Sequence, residues 1–257
     1  MKLDIPFVTI ITPSFNSEKY ISLTIESVIK QTYENWKLII IDDFSKDNSV
    51  NVIKSYILED DRIQLIQNPS NRGAAFSRNV GLSESKSNYI AFLDSDDLWE
   101  KDKLKKQLFF MKDNNFSFSF TGYSIVNDLG EFKGETVDTK QKGSFSYKDM
   151  LAKKATLGCS TVMLSKKSFE GLLNMPLLRT GQDYAFWLKL LKNTNQKAHI
   201  LPIALTQYRI NPDSISRNKL KKAKRQWTIY RNNENLSFVK SLYYFCFYAF
   251  RAIFRTS

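Results

Sequence analysis

The sequence predicts an α/β fold, with a mostly parallel, Rossmann-like sheet flanked by helices. Two observations carry that prediction. Short apolar, β-branched runs alternate with segments whose apolar residues recur at helical spacing. Each early run also leads straight into polar, turn-forming residues, as strands do at the rim of an open sheet. Alternation of this kind brings strands together in parallel and leaves the helices on the faces.

Residues 7–12 are β-branched and apolar, end at Pro13, and read as a buried strand. Ile21, Ile25, Val28 and Ile29 give a helix over 20–31 one apolar face. Residues 37–41 form a second strand that runs into Asp42 and Asp43. Val50, Ile53 and Ile57 mark a second helix, 63–66 a third strand, 73–85 a third helix and 89–93 a fourth strand ending at Asp94. Beyond it the pattern predicts a helix over 101–114 and a strand over 116–126. A polar loop or hairpin follows over 128–143, with Gly130, Gly134 and Gly143. A strand is expected over 158–164, a helix over 184–191 and a strand over 200–208 broken by Pro202. There is no internal repeat and no low-complexity tract.

At 257 residues, 42% hydrophobic and 25% charged, the chain can fill one large core. Two distant cysteines, Cys159 and Cys246, exclude a disulfide framework and point to a reducing compartment. Residues 1–6 show no apolar signal core with a small-residue cleavage site, and no uncharged apolar run is long enough to span a bilayer. A cytoplasmic location is expected.

The net charge of +12 is uneven. From Arg217 onward there are ten basic residues and one acid, Glu234, so this stretch carries +9 and the rest of the chain +3. Such a run suits an anionic partner: a membrane surface, a pyrophosphate-linked substrate or a nucleic acid. Residues 236–254 then gather Phe238, Tyr243, Tyr244, Phe245, Phe247, Tyr248, Phe250 and Phe254, flanked by Lys240, Arg251 and Arg255. The stretch is too short to span a bilayer and too apolar to leave in water. It either packs on the body or on a second copy as a homodimer, or lies in a membrane interface. With the basic run before it, peripheral attachment to the inner face of the cell membrane is the expectation.

In open sheets ligands bind beyond the carboxyl ends of the strands, so residues 13–16, 42–43 and 94–97 should share one rim. Asp94, Asp96 and Asp97 crowd around Ser95 and repel one another unless a cation offsets them. Their hard oxygens suit Mg²⁺ or Mn²⁺. The same residues can form a plain acidic turn in which Asp97 caps the following helix. Asp43 can accept hydrogen bonds from a base or ribose, or only close a turn. Phe15 offers a face for stacking a base, or a core contact. Arg72 and Arg78, near a helix start, can hold a phosphate or lie solvated. His199, the single histidine, fits no metal-ligand pattern and is expected to be structural.

Together these segments resemble glycosyltransferase family 2, inverting enzymes of the GT-A fold. The resemblance runs from about Thr9 to Ser216. It includes Thr12-Pro13-Ser14-Phe15-Asn16 with Glu18 and Ile21, Ser27-Val28-Ile29-Lys30-Gln31-Thr32-Tyr33, and Asp42-Asp43-Phe44-Ser45-Lys46-Asp47. It continues through Asn71-Arg72-Gly73 with Ala75, Arg78, Asn79 and Gly81, then Phe92-Leu93-Asp94-Ser95-Asp96-Asp97. Asp183 with Phe186, Trp187 and Leu190, and Tyr208-Arg209 with Ser214-Ile215-Ser216, complete it.

The resemblance implies a catalytic domain over 1–216, with a nucleotide-sugar-binding half over 1–97 and an acceptor-binding half over 98–216. A basic, aromatic helical tail over 217–257 follows. It implies a nucleotide-sugar donor, a UDP-sugar first, a Mn²⁺ or Mg²⁺ ion, and a glycan or lipid-linked oligosaccharide acceptor. Matched by position, Asp43 binds the base, Phe15 lies beside it, and Arg78 lies near the diphosphate. Pro13, Asn16, Glu18 and Ser95 complete the expected donor site. Asp94 and Asp96 are the first and last acids of the Asp-x-Asp metal motif, and Asp183 is the catalytic base. Two positions depart from the family: Gln182 stands where Glu is usual, and Asn211 where relatives often carry His.

Other classes fit less well. A dinucleotide oxidoreductase needs Gly-x-Gly-x-x-Gly where this chain has Pro13-Ser14-Phe15-Asn16. A nucleic-acid binder would interleave its aromatics with its basic residues, but here they follow the basic run. A processive polysaccharide synthase would carry spanning helices and a Gln-x-x-Arg-Trp motif, which Arg225-Gln226-Trp227 resembles only superficially. The expected activity is transfer of one sugar in cell-surface polysaccharide assembly, without a nucleic-acid partner.

Overall fold

The computed structural model describes residues 7–210 and 219–254. Asn211, Ser214-Ile215-Ser216, the boundary expected near Ser216, Arg217 and Arg255 lie outside the described residues. The first half runs β1 (Val8–Ser14), α1 (Ile21–Ile29), β2 (Trp36–Asp42), α2 (Ser49–Glu59), β3 (Ile63–Gln67), α3 (Ala74–Glu84) and β4 (Tyr89–Phe92). There follow β5 (Leu98–Trp99), α4 (Lys103–Asp113), β6 (Phe118–Val126), β7 (Phe132–Val137), β8 (Ser144–Phe145) and α5 (Tyr147–Leu151). The chain then makes β9 (Met163–Ser165), α6 (Gln182–Thr194), β10 (Ala198–Arg209), α7 (Lys219–Thr228) and α8 (Phe238–Phe254).

The ten strands of the described residues join one sheet in the order β3-β2-β1-β4-β9-β6-β10-β5, with β7 on β6 and β8 on β10. β1, β2, β3 and β4 pair in parallel, as do β6 and β10. The antiparallel pairings each match only two or three residues.

The strands are apolar on both faces because both faces are covered. Ile11, Ile39, Ile41 and Phe92 pack with Ala75 and Leu82 of α3 and with Phe186 and Trp187 of α6. Val8, Ile10, Leu38, Ile40 and Ala91 turn the other way, onto Ile21, Ile25 and Val28 of α1, Ile53 of α2, and Leu104 and Leu108 of α4. This two-residue alternation separates two cores.

Three elements differ from expectation. β1 continues through Pro13 to Ser14, because its pairing with β4 stops at Ile11 and Pro13 has a neighbouring strand on one side only. The strand expected over 158–164 is a 3₁₀ turn, Cys159–Thr161, followed by the short β9. Here the Ser160 carbonyl accepts from Trp99 Nε1 (2.8 Å) and Thr206 Oγ1 (3.1 Å) instead of joining a ladder. β10 is not broken at Pro202: register shifts between Leu201 and Thr206 absorb the proline as a bulge against β6. Residues 132–137 form the strand β7 against β6, which resolves the loop-or-hairpin alternative in favour of a hairpin.

α3 lies tightly on the sheet at Gly81, where an added Cβ would lie 2.6 Å from Ile11 Cγ2 and 2.9 Å from Ile41 Cδ1. Ile11 belongs to a central strand and its branched carbon cannot swing aside. Gly81→Ala should therefore cost about 1–3 kcal/mol, the usual range for overpacking. Urea unfolding reads this as a lower midpoint; an unchanged midpoint would mean that α3 slides freely on the sheet.

Candidate active site

A cavity of about 1140 Å³ opens where the carboxyl ends of β1, β2 and β4 meet the start of α6. Pro13, Phe15, Asp43, Arg78, Asp94, Ser95, Asp96 and Asp183 all line it. Asn16 and Glu18 do not. Asn16, at φ 47°, donates its N–H to Ser45 Oγ and accepts from the Lys46 N–H. Glu18 accepts from the Asn48 N–H and donates its own N–H to Asp47. These two residues lace the loop after β1 to the loop after β2, and so hold the rim from behind.

The acidic loop after β4 is anchored by groups far away in sequence. Ser160 Oγ accepts the Asp94 N–H at 3.0 Å and donates to Asp97 Oδ2 at 2.6 Å. The Arg209 N–H donates to Asp97 Oδ1, and Arg209 Nε to the Asp96 carbonyl. Thr24 Oγ1 reaches the carbonyls of Ser95 and Asp97. Asp97 therefore faces inward and does not cap α4, whose N-cap is Asp102. Burial, with the like charges of Asp96 and Asp94, pushes the Asp97 carboxyl well above the usual carboxylate range.

Asp43 is buried and takes part in the backbone of its neighbours. Its carboxylate accepts from Asn68 Nδ2 (2.8 Å) and from the N–H groups of Arg72 (2.9 Å) and Gly73 (2.7 Å). It thus shapes the turn into α3, where Gly73 adopts φ 86°. Arg78 is buried rather than solvated: Nη2 pairs with Asp94 Oδ1, while Nε and Nη1 have no hydrogen-bond partner among the described residues. Phe15 is 48% exposed on the cavity wall, not tucked into the core.

Asp183 lies in the first turn of α6, after Gly181 at φ 75°. The helix α7 and the turn after it pack directly over that glycine: an added Cβ would meet Arg225 Cδ at 2.9 Å and Ile229 Cδ1 at 3.0 Å. Lys222, Arg225, Gln226 and Ile229 consequently line the same cavity as Asp183. The sequence marks Arg209 only beside Tyr208, and nothing in it marks Ser160 or places α7 at the site. Cys159 is also on the wall, but burial pushes its thiol well up and leaves it protonated. His199 stacks on Phe116 with ring centroids 3.5 Å apart, a structural role.

Among the described residues no three His, Cys, Asp or Glu side chains converge as a closed metal site. Asp94 and Asp96 nevertheless suit a hard divalent cation. They are oxygen donors on the wall of a cavity, and such a cation takes its other ligands from substrate phosphate and water. Its charge would also offset the crowding that raises Asp97.

A parallel α/β half with acids at its strand ends, facing a carboxylate at a helix start, is the layout of a GT-A glycosyltransferase. The chain belongs to glycosyl transferase family 2, which matches residues 9–172. It is 42% identical over 248 residues to TuaG of Bacillus subtilis, a glycosyltransferase named for teichuronic acid biosynthesis, covering 96% of each chain. It is 39% identical over 230 residues to the Escherichia coli UDP-Glc:alpha-D-GlcNAc-diphosphoundecaprenol beta-1,3-glucosyltransferase WfgD, covering 88% of this chain and 86% of that one. Its fold superposes on the mannosyltransferase PcManGT of Pyrobaculum calidifontis, solved with GDP-Man and Mn²⁺, with a TM-score of 0.70 at 14% identity over 99% of this chain and 77% of that one.

Proposed function

We propose that this glycosyltransferase moves a single sugar from a UDP-sugar to a hydroxyl of a lipid-linked, diphosphate-bearing glycan, with inversion, in polysaccharide assembly. The observation that carries the reading is the meeting of Asp43, Arg78, Asp94, Asp96 and Asp183 in one cavity. The name of WfgD supports the donor and the acceptor class, and that of TuaG supports the polysaccharide setting.

Asp43 and Phe15 receive the base. Arg78 receives the donor diphosphate, whose oxygens satisfy its buried, unpartnered Nε and Nη1. Asp96 and Asp94 would hold Mn²⁺ or Mg²⁺, which supplies charge to stabilise the departing diphosphate. Asp183 takes the proton from the acceptor hydroxyl as that oxygen attacks the sugar carbon. One displacement inverts the anomeric centre, and no protein nucleophile is required.

Asp183→Asn should cut turnover by about 10²–10⁴-fold, the range for a general base. UDP affinity, read by calorimetry with Mn²⁺, should hardly change. Equal loss of both would assign Asp183 to the donor or the fold. Asp96→Asn should abolish metal-dependent UDP binding along with transfer; a variant transferring at the wild-type rate without added metal would remove Asp96 from the metal role.

The tail supports attachment to a membrane surface. Among the described residues no helix is long and apolar enough to cross a bilayer. α8 instead packs one side on α7 and the following turn, through Trp227–Phe245 and Tyr230–Tyr244 ring contacts. Its other side leaves Val239, Leu242, Tyr243, Phe247 and Phe250 37–74% exposed. That face lies in the interface, with nearby basic residues each contributing about 1 kcal/mol on an anionic leaflet. Full-length protein should co-sediment with anionic vesicles at low salt and less so at high salt. The double variant Val239→Glu, Phe250→Glu should stay in the supernatant. If the wild type also stays there and runs as a dimer that the double variant breaks, the face joins two copies instead.

A further inference from the structure

The geometry points to an acceptor subsite completed by α7, in which Arg225 holds a phosphate attached to the acceptor sugar and Gln182 accepts a hydrogen bond from a sugar hydroxyl. This rests on the reading above that Asp183 is the base and that the acceptor is a sugar diphosphate.

The donor side of the cavity already has its cation partners. Arg78 is paired with Asp94, and its remaining donors are the ones a donor diphosphate would meet. A second group of basic residues lines the same cavity around the start of α6: Lys153, Arg179, Lys222 and Arg225. Lys153 Nζ lies 3.2 Å from the centre of the Tyr184 ring, one residue past Asp183. Arg225 crosses over Gly181, with Nε 3.2 Å from the Cβ position there. The first turn of α6 adds its own positive end. Against these cations the turn offers one carboxylate, Asp183, because its neighbour Gln182 is neutral. Arg179 and Arg225 beside the proposed base suit a second anion, which the proposed acceptor supplies.

Gln182 supplies the sugar contact. Gln182 lines the cavity, and its Oε1 is buried with no hydrogen-bond partner among the described residues. An unmet buried acceptor is costly, and a sugar hydroxyl one residue from Asp183 satisfies it. The hydroxyls of Tyr184 and Tyr230 donate to the carbonyls of Met150 and Leu151. The second bond fastens the turn that follows α7 to the body, and so helps to set where Arg225 stands.

The test is calorimetry on the full chain with four probes: UDP with Mn²⁺, a soluble alkyl-diphosphate-linked N-acetylglucosamine, the phosphate-free alkyl glycoside of the same sugar, and inorganic pyrophosphate. Arg225→Ala should weaken the diphosphate-linked sugar by about tenfold or more, the weight of a charge-assisted hydrogen bond. Its affinity for UDP and for the phosphate-free glycoside should match the wild type, and Arg225→Lys should recover part of the loss. Gln182→Ala should weaken both sugar probes alike and leave UDP unchanged. Unchanged affinity of Arg225→Ala for the diphosphate-linked sugar would overturn the inference. So would wild-type protein that binds pyrophosphate as tightly as that sugar, or binds the phosphate-free glycoside equally well. Failure of the wild type to bind UDP with Mn²⁺ would overturn the proposed donor site as well, which separates the two.

Discussion

The site depends on one buried carboxyl group. Asp97 faces away from the cavity and is bonded to Ser160 Oγ on one oxygen and to the Arg209 N–H on the other. These two bonds tie the end of β4 to the Cys159–Thr161 turn and to the end of β10. Without such an anchor three neighbouring acids would spread apart by their own repulsion. With it, Asp97 is withdrawn from the cavity and burial raises its carboxyl well above the usual carboxylate range, while Asp94 and Asp96 are left on the cavity wall. Arg78 then pairs with Asp94 from the α3 side, so that an anionic loop and a buried cation stabilise each other before any ligand arrives.

The parallel half was legible because its signal is local. Continuous apolar runs over 38–41 and 89–93 can be buried on both faces only in a sheet covered on both sides, and the two cores bear this out. The rim was legible for the same reason: strand ends converge whatever the loops do, and seven of the expected donor residues line one cavity. What sequence reading missed is non-local. Residues 158–164 have strand composition, yet the Ser160 carbonyl is claimed by Trp99 and Thr206, which no window around it contains. Pro202 looks like a break, but a long strand can absorb it by bulging against β6. Asn16 and Glu18 sit in a motif beside Phe15 and face the other way, because a left-handed turn at Asn16 reverses the loop.

The basic tail was the least legible part. Its charge was readable as an attraction to anions, but not its place. Gly181 decides that place: its lack of a Cβ and its φ of 75° let Arg225 and Ile229 rest on the start of α6. The same helix leads through a π-helical turn, Ile229–Asn233, into α8, whose apolar face is exposed.

One consequence is mechanical. α7 contacts the cavity through Lys222, Arg225 and Gln226, and contacts α8 through Trp227 against Phe238 and Phe245. Tyr230, fully buried, hydrogen-bonds the Leu151 carbonyl and so fastens this unit to the body. Deleting everything after residue 216 would therefore uncover Gly181, remove part of the cavity wall and expose Tyr184 along with the loss of the apolar helix. Loss of activity in such a truncation could not be assigned to membrane attachment. Single charges placed on the outer face of α8 leave the α7 contacts in place, and only they separate attachment at the surface from chemistry in the cavity.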